Sequence, residues 1–306
     1  MTRIAVTSRS FSRHPVLRQE LLESYENVTF NDTGRSLKGA ELLEFLQDHD
    51  KAIVALETLG DEAFAKLPQL KVISKYGVGF DSLDIDAMAK KNIKLGWTGG
   101  VNKRSVSELV IAFAVTFLRH IPKLNNDVRG GAWQQQSGLM LSERTIGIVG
   151  CGNVGKDLAK LLRAFGCKIL AHDIADNTKF YKEHDIKAVD LETLLRDSDI
   201  VTLHLPRDSS TEKIINRERL GLLKSDAILI NAARCGPVDE TALKNVLQDH
   251  KIAGAAFDVF ATEPPEDHDL LNLPNFIATP HIGGSTEEAI LAMGRAAIAG
   301  LDSARV

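Results

Sequence analysis

The stretch Thr145 to Asp173, TIGIVGCGNVGKDLAKLLRAFGCKILAHD, constrains this chain more than any other. It reads as an apolar strand, a glycine turn, an amphipathic helix, a second strand and a terminal acid. Gly150, Gly152 and Gly155 keep the G-x-G-x-x-G spacing. The three glycines serve different ends, which are a tight turn, close approach of backbone to a pyrophosphate, and close packing of helix on strand. Val154, Leu158, Leu161, Leu162 and Phe165 recur at the 3.6-residue period, so the helix would bury one face and turn its N-terminal amides toward phosphate charge. Asp173 falls where a carboxylate accepts hydrogen bonds from a ribose 2′-OH. The alternative is a glycine turn without a nucleotide, but the flanking strand, helix and acid agree on a dinucleotide site.

At 306 residues the chain exceeds the size at which a single core usually stops growing, so two domains are expected. A net charge of −4 gives no general field for nucleic acid or anionic lipid, and neither is expected as a partner. Any anionic ligand must be held by local groups. The three cysteines, Cys151, Cys167 and Cys235, lack metal-ligand spacing and are expected to be reduced thiols, with no metal and no disulfide. The N-terminus lacks the apolar stretch of a signal peptide. The longest apolar run, Leu109 to Leu118, is half of the roughly 20 residues that a bilayer requires and predicts a buried helix in a cytoplasmic protein.

Before Trp97, strands are predicted at Ile4 to Thr7, Ala52 to Leu56, Val72 to Ser74 and Ile93 to Leu95. Between them lie helices at Pro15 to Tyr25, Gly39 to Gln47, Glu62 to Leu67 and Ile85 to Lys90. That alternation implies a parallel sheet. Tyr76-Gly77-Val78-Gly79-Phe80-Asp81 follows a strand and offers turn amides to a small anion. A helix is predicted from Arg104 to His120, then a loop-like excursion from Arg129 to Ser142. Strands return near Lys168 to Ala171, Ile200 to Leu205, Ala227 to Asn231, Ile252 to Phe257 and Phe276 to Ala278, with a helix at Val238 to Gln248. Ser285 to Val306 reads as a final alanine-rich helix able to pack back on the first domain.

Three strand ends carry candidate chemistry, because ligands of open α/β sheets lie beyond the carboxyl ends of strands. Arg234 follows Ile228 to Asn231 and could grip a carboxylate with its planar fork. Glu263 precedes a diproline. His281 sits between an apolar strand and a glycine pair, where a proton relay can stand. Singly, these read as a surface ion pair, a solvated loop acid and a structural histidine. Together they form a site: arginine for a carboxylate, histidine for a hydroxyl proton, glutamate to orient the imidazole.

The motifs GVGFDSLD (77 to 84), NKRSVSELVI (102 to 111), GCGNVG, HLP (204 to 206), NAARCGPVDE (231 to 240), AGAAFDVFATEPP (253 to 265) and TPHIGGSTEEA (279 to 289) resemble the D-isomer-specific 2-hydroxyacid dehydrogenase family, in its order. The resemblance implies an α/β protein of two doubly wound parallel-sheet domains. A Rossmann dinucleotide domain, 99–284, would be inserted in a flavodoxin-like substrate domain, 1–98 with 285–306. It implies an NAD-dependent oxidoreductase acting on a small 2-hydroxy or 2-keto acid in a cleft between the domains, and a homodimer built largely on the stretch after residue 100. Arg234, Glu263 and His281 fall on the family's catalytic positions. Implied cofactor contacts are Val78, Gly150, Gly152, Asn153, Val154, Gly155, Asp173, His204, Leu205, Pro206, Ala232, Ala233, Arg234, Asp258, His281 and Gly284, with Asp258 near the nicotinamide carboxamide. Implied substrate contacts are Lys75, Val78, Gly79 and Arg234.

Within the family the motifs are most similar to members acting on 3-phosphoglycerate in serine biosynthesis. Reductases of glyoxylate or hydroxypyruvate, and a non-catalytic NAD(H)-sensing member, are the alternatives. Three departures stand out. Cys235 occupies a usual glycine position, while Ala55 and Lys75 occupy positions where phosphate-binding members present arginine. A C-terminal regulatory domain with serine feedback is not expected.

Overall fold

The computed structural model describes residues 2–304. The chain divides into two compact units, Met1–Asn102 with Thr286–Val306, and Lys103–Ser285.

The first unit is built on β1 (Ile4–Val6), β2 (Val28–Phe30), β3 (Lys51–Val54), β4 (Val72–Lys75) and β5 (Lys94–Gly96), all parallel in the order β2-β1-β3-β4-β5. Its inner strands are short apolar runs because both faces are covered. One face packs Ala52, Val54 and Ile73 on Leu42, Leu46 and Met88. The other packs Ile4, Val6 and Ile53 on Phe11, Leu17, Leu21, Ala297 and Leu301. The helix Glu287–Ser303 supplies the last two of these and starts at Thr286, whose side chain caps the Ala289 amide. Ser74 Oγ donates to the Ala297 carbonyl at 2.6 Å. A Cβ on Gly96 would sit 2.2 Å from the Gly300 carbonyl oxygen, so only glycine permits this approach.

Two features depart from expectation. β2 is absent from the strands predicted above: Val28-Thr29-Phe30 is a three-residue edge strand, only partly buried, with too little alternation to register. β3 stops at Val54 rather than Leu56, and Leu56 is 86% exposed. The Glu57 carboxylate takes the Ala55 amide and bends the chain there.

The second unit contains β6 (Thr145–Val149), β7 (Lys168–His172), β8 (Lys187–Ala188), β9 (Ile200–Leu203), β10 (Ile228–Asn231), β11 (Gly254–Phe257) and β12 (Phe276–Ala278). They form one parallel sheet in the order β12-β11-β10-β9-β6-β7-β8. The chain runs outward from β6 through β7 to β8, then returns to β9 and runs the other way. The turn after β6 therefore lies at the topological switch point, where open sheets of this kind bind ligands. Two cores sandwich the sheet, one including Leu158 and Leu162 of the helix Asn153–Ala164, the other including Leu243 and Leu247 of Glu240–Gln248.

The helix Ile121–Arg129 is a further addition to the predicted elements and has no buried residue. All three cysteines are free, and burial pushes the Cys151 and Cys167 thiols up to about 11, so both stay protonated. No single helix among the described residues is long and apolar enough to cross a membrane, and no cluster of three or more His, Cys, Asp or Glu side chains among them could hold a metal.

Candidate active site

The glycine turn obeys the division of labour read from its spacing. Gly150 has φ +92°, and a Cβ there would lie 2.5 Å from the His204 carbonyl oxygen. Gly155 faces the Gly150 carbonyl oxygen, 2.3 Å from its own ideal Cβ. A Cβ on Gly152 would meet nothing within 4 Å. Two glycines are thus fixed by protein backbone, and the middle one fronts open space. Asn153 and Val154 open the helix behind it, which has no side-chain cap at Gly152. Uncapped amides beside a cradle that a Cβ would fill are the donor set a pyrophosphate needs.

Asp173 directly follows β7, beside this turn. Its Oδ2 accepts the Cys151 amide and its Oδ1 the Ala175 amide at 2.7 Å. The carboxylate is held beside the turn by backbone donors while its remaining lone pairs suit ribose hydroxyls. His204, Leu205 and Pro206 leave β9 on the other side. His204 Nε2 lies 3.1 Å from Thr202 Oγ1, while Nδ1 is shut away without a hydrogen-bond partner. Burial lowers the His204 pKa to about 4, so its ring is neutral near pH 7.

A second cluster forms beyond β11 and β12. His281 Nδ1 is 2.9 Å from Glu263 Oε2, and Glu263 Oε1 accepts the Phe260 amide at 3.1 Å. With Nδ1–H donating to the glutamate, the imidazole presents Nε2 as the atom that exchanges protons. His281 has φ +54°, an unusual conformation for a side chain of this size. It is enforced by Asp258, only 1% exposed, which accepts Thr279 Oγ1 at 2.6 Å and the Ile282 and Gly283 amides at 2.7 Å each. Asp258, expected near the nicotinamide, is thus engaged on the loop that carries His281. A cavity of about 420 Å³ is walled by Asp258, Phe260, Glu263, Thr279 and His281.

Arg234, with Ala232 and Ala233, leaves β10. Asn231 Nδ2 donates to the Arg234 carbonyl at 3.1 Å, and Arg234 Nη1 donates to the Ala233 carbonyl at 2.8 Å. Its side chain is not among the walls of the His281 cavity. Cys235 Sγ accepts from Arg207 Nη1 at 3.3 Å. In the first unit, Lys75 is 4% exposed at the end of β4, and the Val78 carbonyl accepts Trp97 Nε1 at 3.0 Å, which steadies the turn through Gly79.

Some supporting residues are not nominated by the sequence. Glu240 Oε1 accepts the Ala261 amide at 2.8 Å, bracing the loop that delivers Glu263, and burial pushes its carboxyl up. The start of the helix Lys103–Leu118 ties both clusters together. Arg104 forks onto Asp157 of the glycine-turn helix at 2.9 and 3.0 Å, and Ser105 Oγ donates to the Gly283 carbonyl at 2.6 Å. The Arg104 guanidinium holds the Asp157 carboxyl below the usual carboxylate range. Their signal is present in NKRSVSELVI and the NAARCGPVDE acid, but a contact partner cannot be read from a motif.

Residues 111–283 match the model of the D-isomer specific 2-hydroxyacid dehydrogenase, NAD binding domain. The chain belongs to the D-isomer specific 2-hydroxyacid dehydrogenase family. Among curated members of the family, it is 36% identical over 282 residues to the D-3-phosphoglycerate dehydrogenase of Methanocaldococcus jannaschii, covering 91% of this chain and 54% of that one. It is 37% identical over 263 residues to the hydroxypyruvate reductase of Thermotoga maritima, covering 84% and 85%. The chain therefore spans about half the length of the first relative and most of the second. The crystal structure of D-lactate dehydrogenase from Aquifex aeolicus, complexed with NAD and lactic acid, superposes with a TM-score of 0.86 at 27% identity, covering 97% and 93%. The dehydrogenase family's dinucleotide-binding domain accounts for the open cradle at Gly152, and the cofactor is a nicotinamide dinucleotide.

Proposed function

We propose that this protein is an NAD-dependent D-2-hydroxyacid dehydrogenase that interconverts a small D-2-hydroxy acid and its 2-keto acid. The observation that carries this reading is the His281–Glu263 pair at 2.9 Å, on a loop clamped by Asp258, in the same unit as a glycine turn open at its middle residue.

The bound nicotinamide would supply the hydride chemistry. Arg234 holds the substrate carboxylate as a fork. His281 Nε2 accepts the hydroxyl proton in oxidation and returns it to the carbonyl oxygen in reduction, and Glu263 keeps Nδ1 protonated so that Nε2 is available. Asp173 favours NAD, because a 2′-phosphate would bring more negative charge against its carboxylate. In the first unit, Lys75 and the turn at Val78 and Gly79 are the substrate contacts. The candidate keto acids are 3-phosphohydroxypyruvate, hydroxypyruvate and glyoxylate.

The reading extends to a homodimer. Ile121, Val128, Trp133 and Met140, all within residues 121–140, are 47, 51, 84 and 64% exposed, an apolar display that a second copy would cover.

The test is oxidation of NADH, then NADPH, with those three acids and pyruvate. Turnover of at least one acid with NADH preferred supports the reading; NADH binding without turnover of any acid indicates a sensor in place of an enzyme. Sedimentation of the protein as a monomer at micromolar concentration overturns the dimer.

A further inference from the structure

The order β2-β1-β3-β4-β5 forks between β1 and β3, and ligands of open parallel sheets lie at such a fork. Thr7 N–H donates to the Ile53 carbonyl at 3.0 Å, joining β1 to β3. The Thr7 carbonyl then turns away to Asn31 Nδ2 at 2.8 Å. The next donor along β3, the Ala55 amide, meets no β1 backbone. It donates instead to Glu57 Oε2 at 2.6 Å. The carboxylate therefore fills the fork, and Oε1 takes no hydrogen bond from the described residues.

On the other side of β3, Tyr76 N–H donates to the Val54 carbonyl at 2.8 Å and leads the chain into Gly77, Val78 and Gly79. Adjacent strands lie about 4.8 Å apart, so a substrate whose carboxylate rests on that turn extends its tail across the end of β3 toward Glu57. Arg9 stands exposed on a five-residue helix after β1, and Lys75 is 4% exposed. Neither reproduces a pair of guanidinium forks, and Ala55 contributes no charge. A doubly charged phosphate would meet a fixed anion there, whereas a hydroxyl could donate to Oε1.

From this geometry we infer that Glu57 is a specificity-determining residue that selects 2-keto acids with an uncharged, hydroxyl-bearing tail and rejects phosphorylated ones. The inference rests on the dehydrogenase reading above and narrows its substrate class.

The experiment measures kcat/KM with NADH for hydroxypyruvate and 3-phosphohydroxypyruvate, each normalised to glyoxylate, which has no tail. The wild-type enzyme should prefer hydroxypyruvate by about tenfold or more, the scale of one unfavourable charge contact. Glu57→Gln keeps an acceptor for the Ala55 amide and should raise the relative kcat/KM of the phosphorylated acid by about five- to fiftyfold, chiefly through KM. A wild-type preference for 3-phosphohydroxypyruvate overturns the inference whatever the variant does, as does an unchanged ratio in a folded Glu57→Gln enzyme. Absence of turnover with all three acids overturns the dehydrogenase reading, and the inference with it.

Discussion

Asp258 Oδ2 accepts the Gly283 amide at 2.7 Å, and a Cβ on that glycine would lie 2.9 Å from the same oxygen. The contact leaves no room for a side chain on Gly283, and it fixes the backbone two residues beyond His281. In Asp258→Ala, two backbone amides and the Thr279 hydroxyl lose a buried acceptor. The expected loss is about 2–4 kcal/mol in denaturant unfolding, with Asp258→Asn intermediate because one oxygen survives. Unfolding of the alanine variant at the parental midpoint would show that the clamp does not hold this loop.

The glycines at 152 and 155 should respond oppositely to one methyl group. Gly152→Ala has no protein atom within 4 Å to meet and should leave the unfolding free energy within about 1 kcal/mol, while NADH affinity falls by roughly tenfold or more. Gly155→Ala drives a Cβ against the Gly150 carbonyl and should destabilise the unit by about 2 kcal/mol or more. Calorimetry with NADH and thermal melts separate the two. Equal melting losses in both variants would contradict the assignment of open space to Gly152.

Removing the imidazole in His281→Ala should lower kcat by about 10²–10⁴, with NADH affinity changed only severalfold. Glu263→Gln retains the shape but gives the neighbour of Nδ1 two faces, one of which donates. A loss of roughly ten- to a hundredfold in kcat with little change in KM is expected. Single-turnover measurements at saturating NADH check both. A Glu263→Gln enzyme with parental kcat would separate that carboxylate from the chemistry.

His204 gives the second unit a pH-dependent stability. Its folded pKa is depressed to about 4, against an unfolded value of about 6.5. Above pH 6.5 the ring is neutral in both states and stability is intact. As pH falls toward 4 the unfolded chain binds the proton first, so stability drops, levelling below that point. The full loss is about 3–4 kcal/mol at most, reduced wherever solvent reaches the ring. Comparing urea unfolding at pH 7 and pH 5 in the parent and in His204→Gln isolates this part. An identical pH slope in the two proteins would assign it elsewhere.

The glycine turn, the parallel strands around it and the three strand-end residues were legible because each depends on residues close in sequence: a spacing, an apolar run, a polar group following one. β8 and β2 were not, since Lys187-Ala188 and Val28-Thr29-Phe30 are edge pieces whose pairing is set by a neighbouring strand. The helix Ile121–Arg129 does carry an apolar stripe, Ile121, Leu124 and Val128, but it is nine residues long and none of it is buried, so nothing in a core marks it. The site showed the same division. His281 and Glu263 could be nominated from motifs, yet Asp258 as the brace of His281 and Glu57 as the plug of a strand fork depend on hydrogen bonds that only a folded backbone defines.

The helix Glu287–Ser303 sets an awkward timetable for biosynthesis. The five strands of its sheet have all been synthesised once Gly96 is made, but the helix that covers Leu17 and Ser74 begins only at Glu287. At about 5–20 residues per second, that face waits roughly ten to forty seconds. The contiguous Lys103–Ser285 stretch can finish folding during the wait. The first part synthesised is thus the last completed, and its uncovered apolar face is where a nascent-chain chaperone would have most to do.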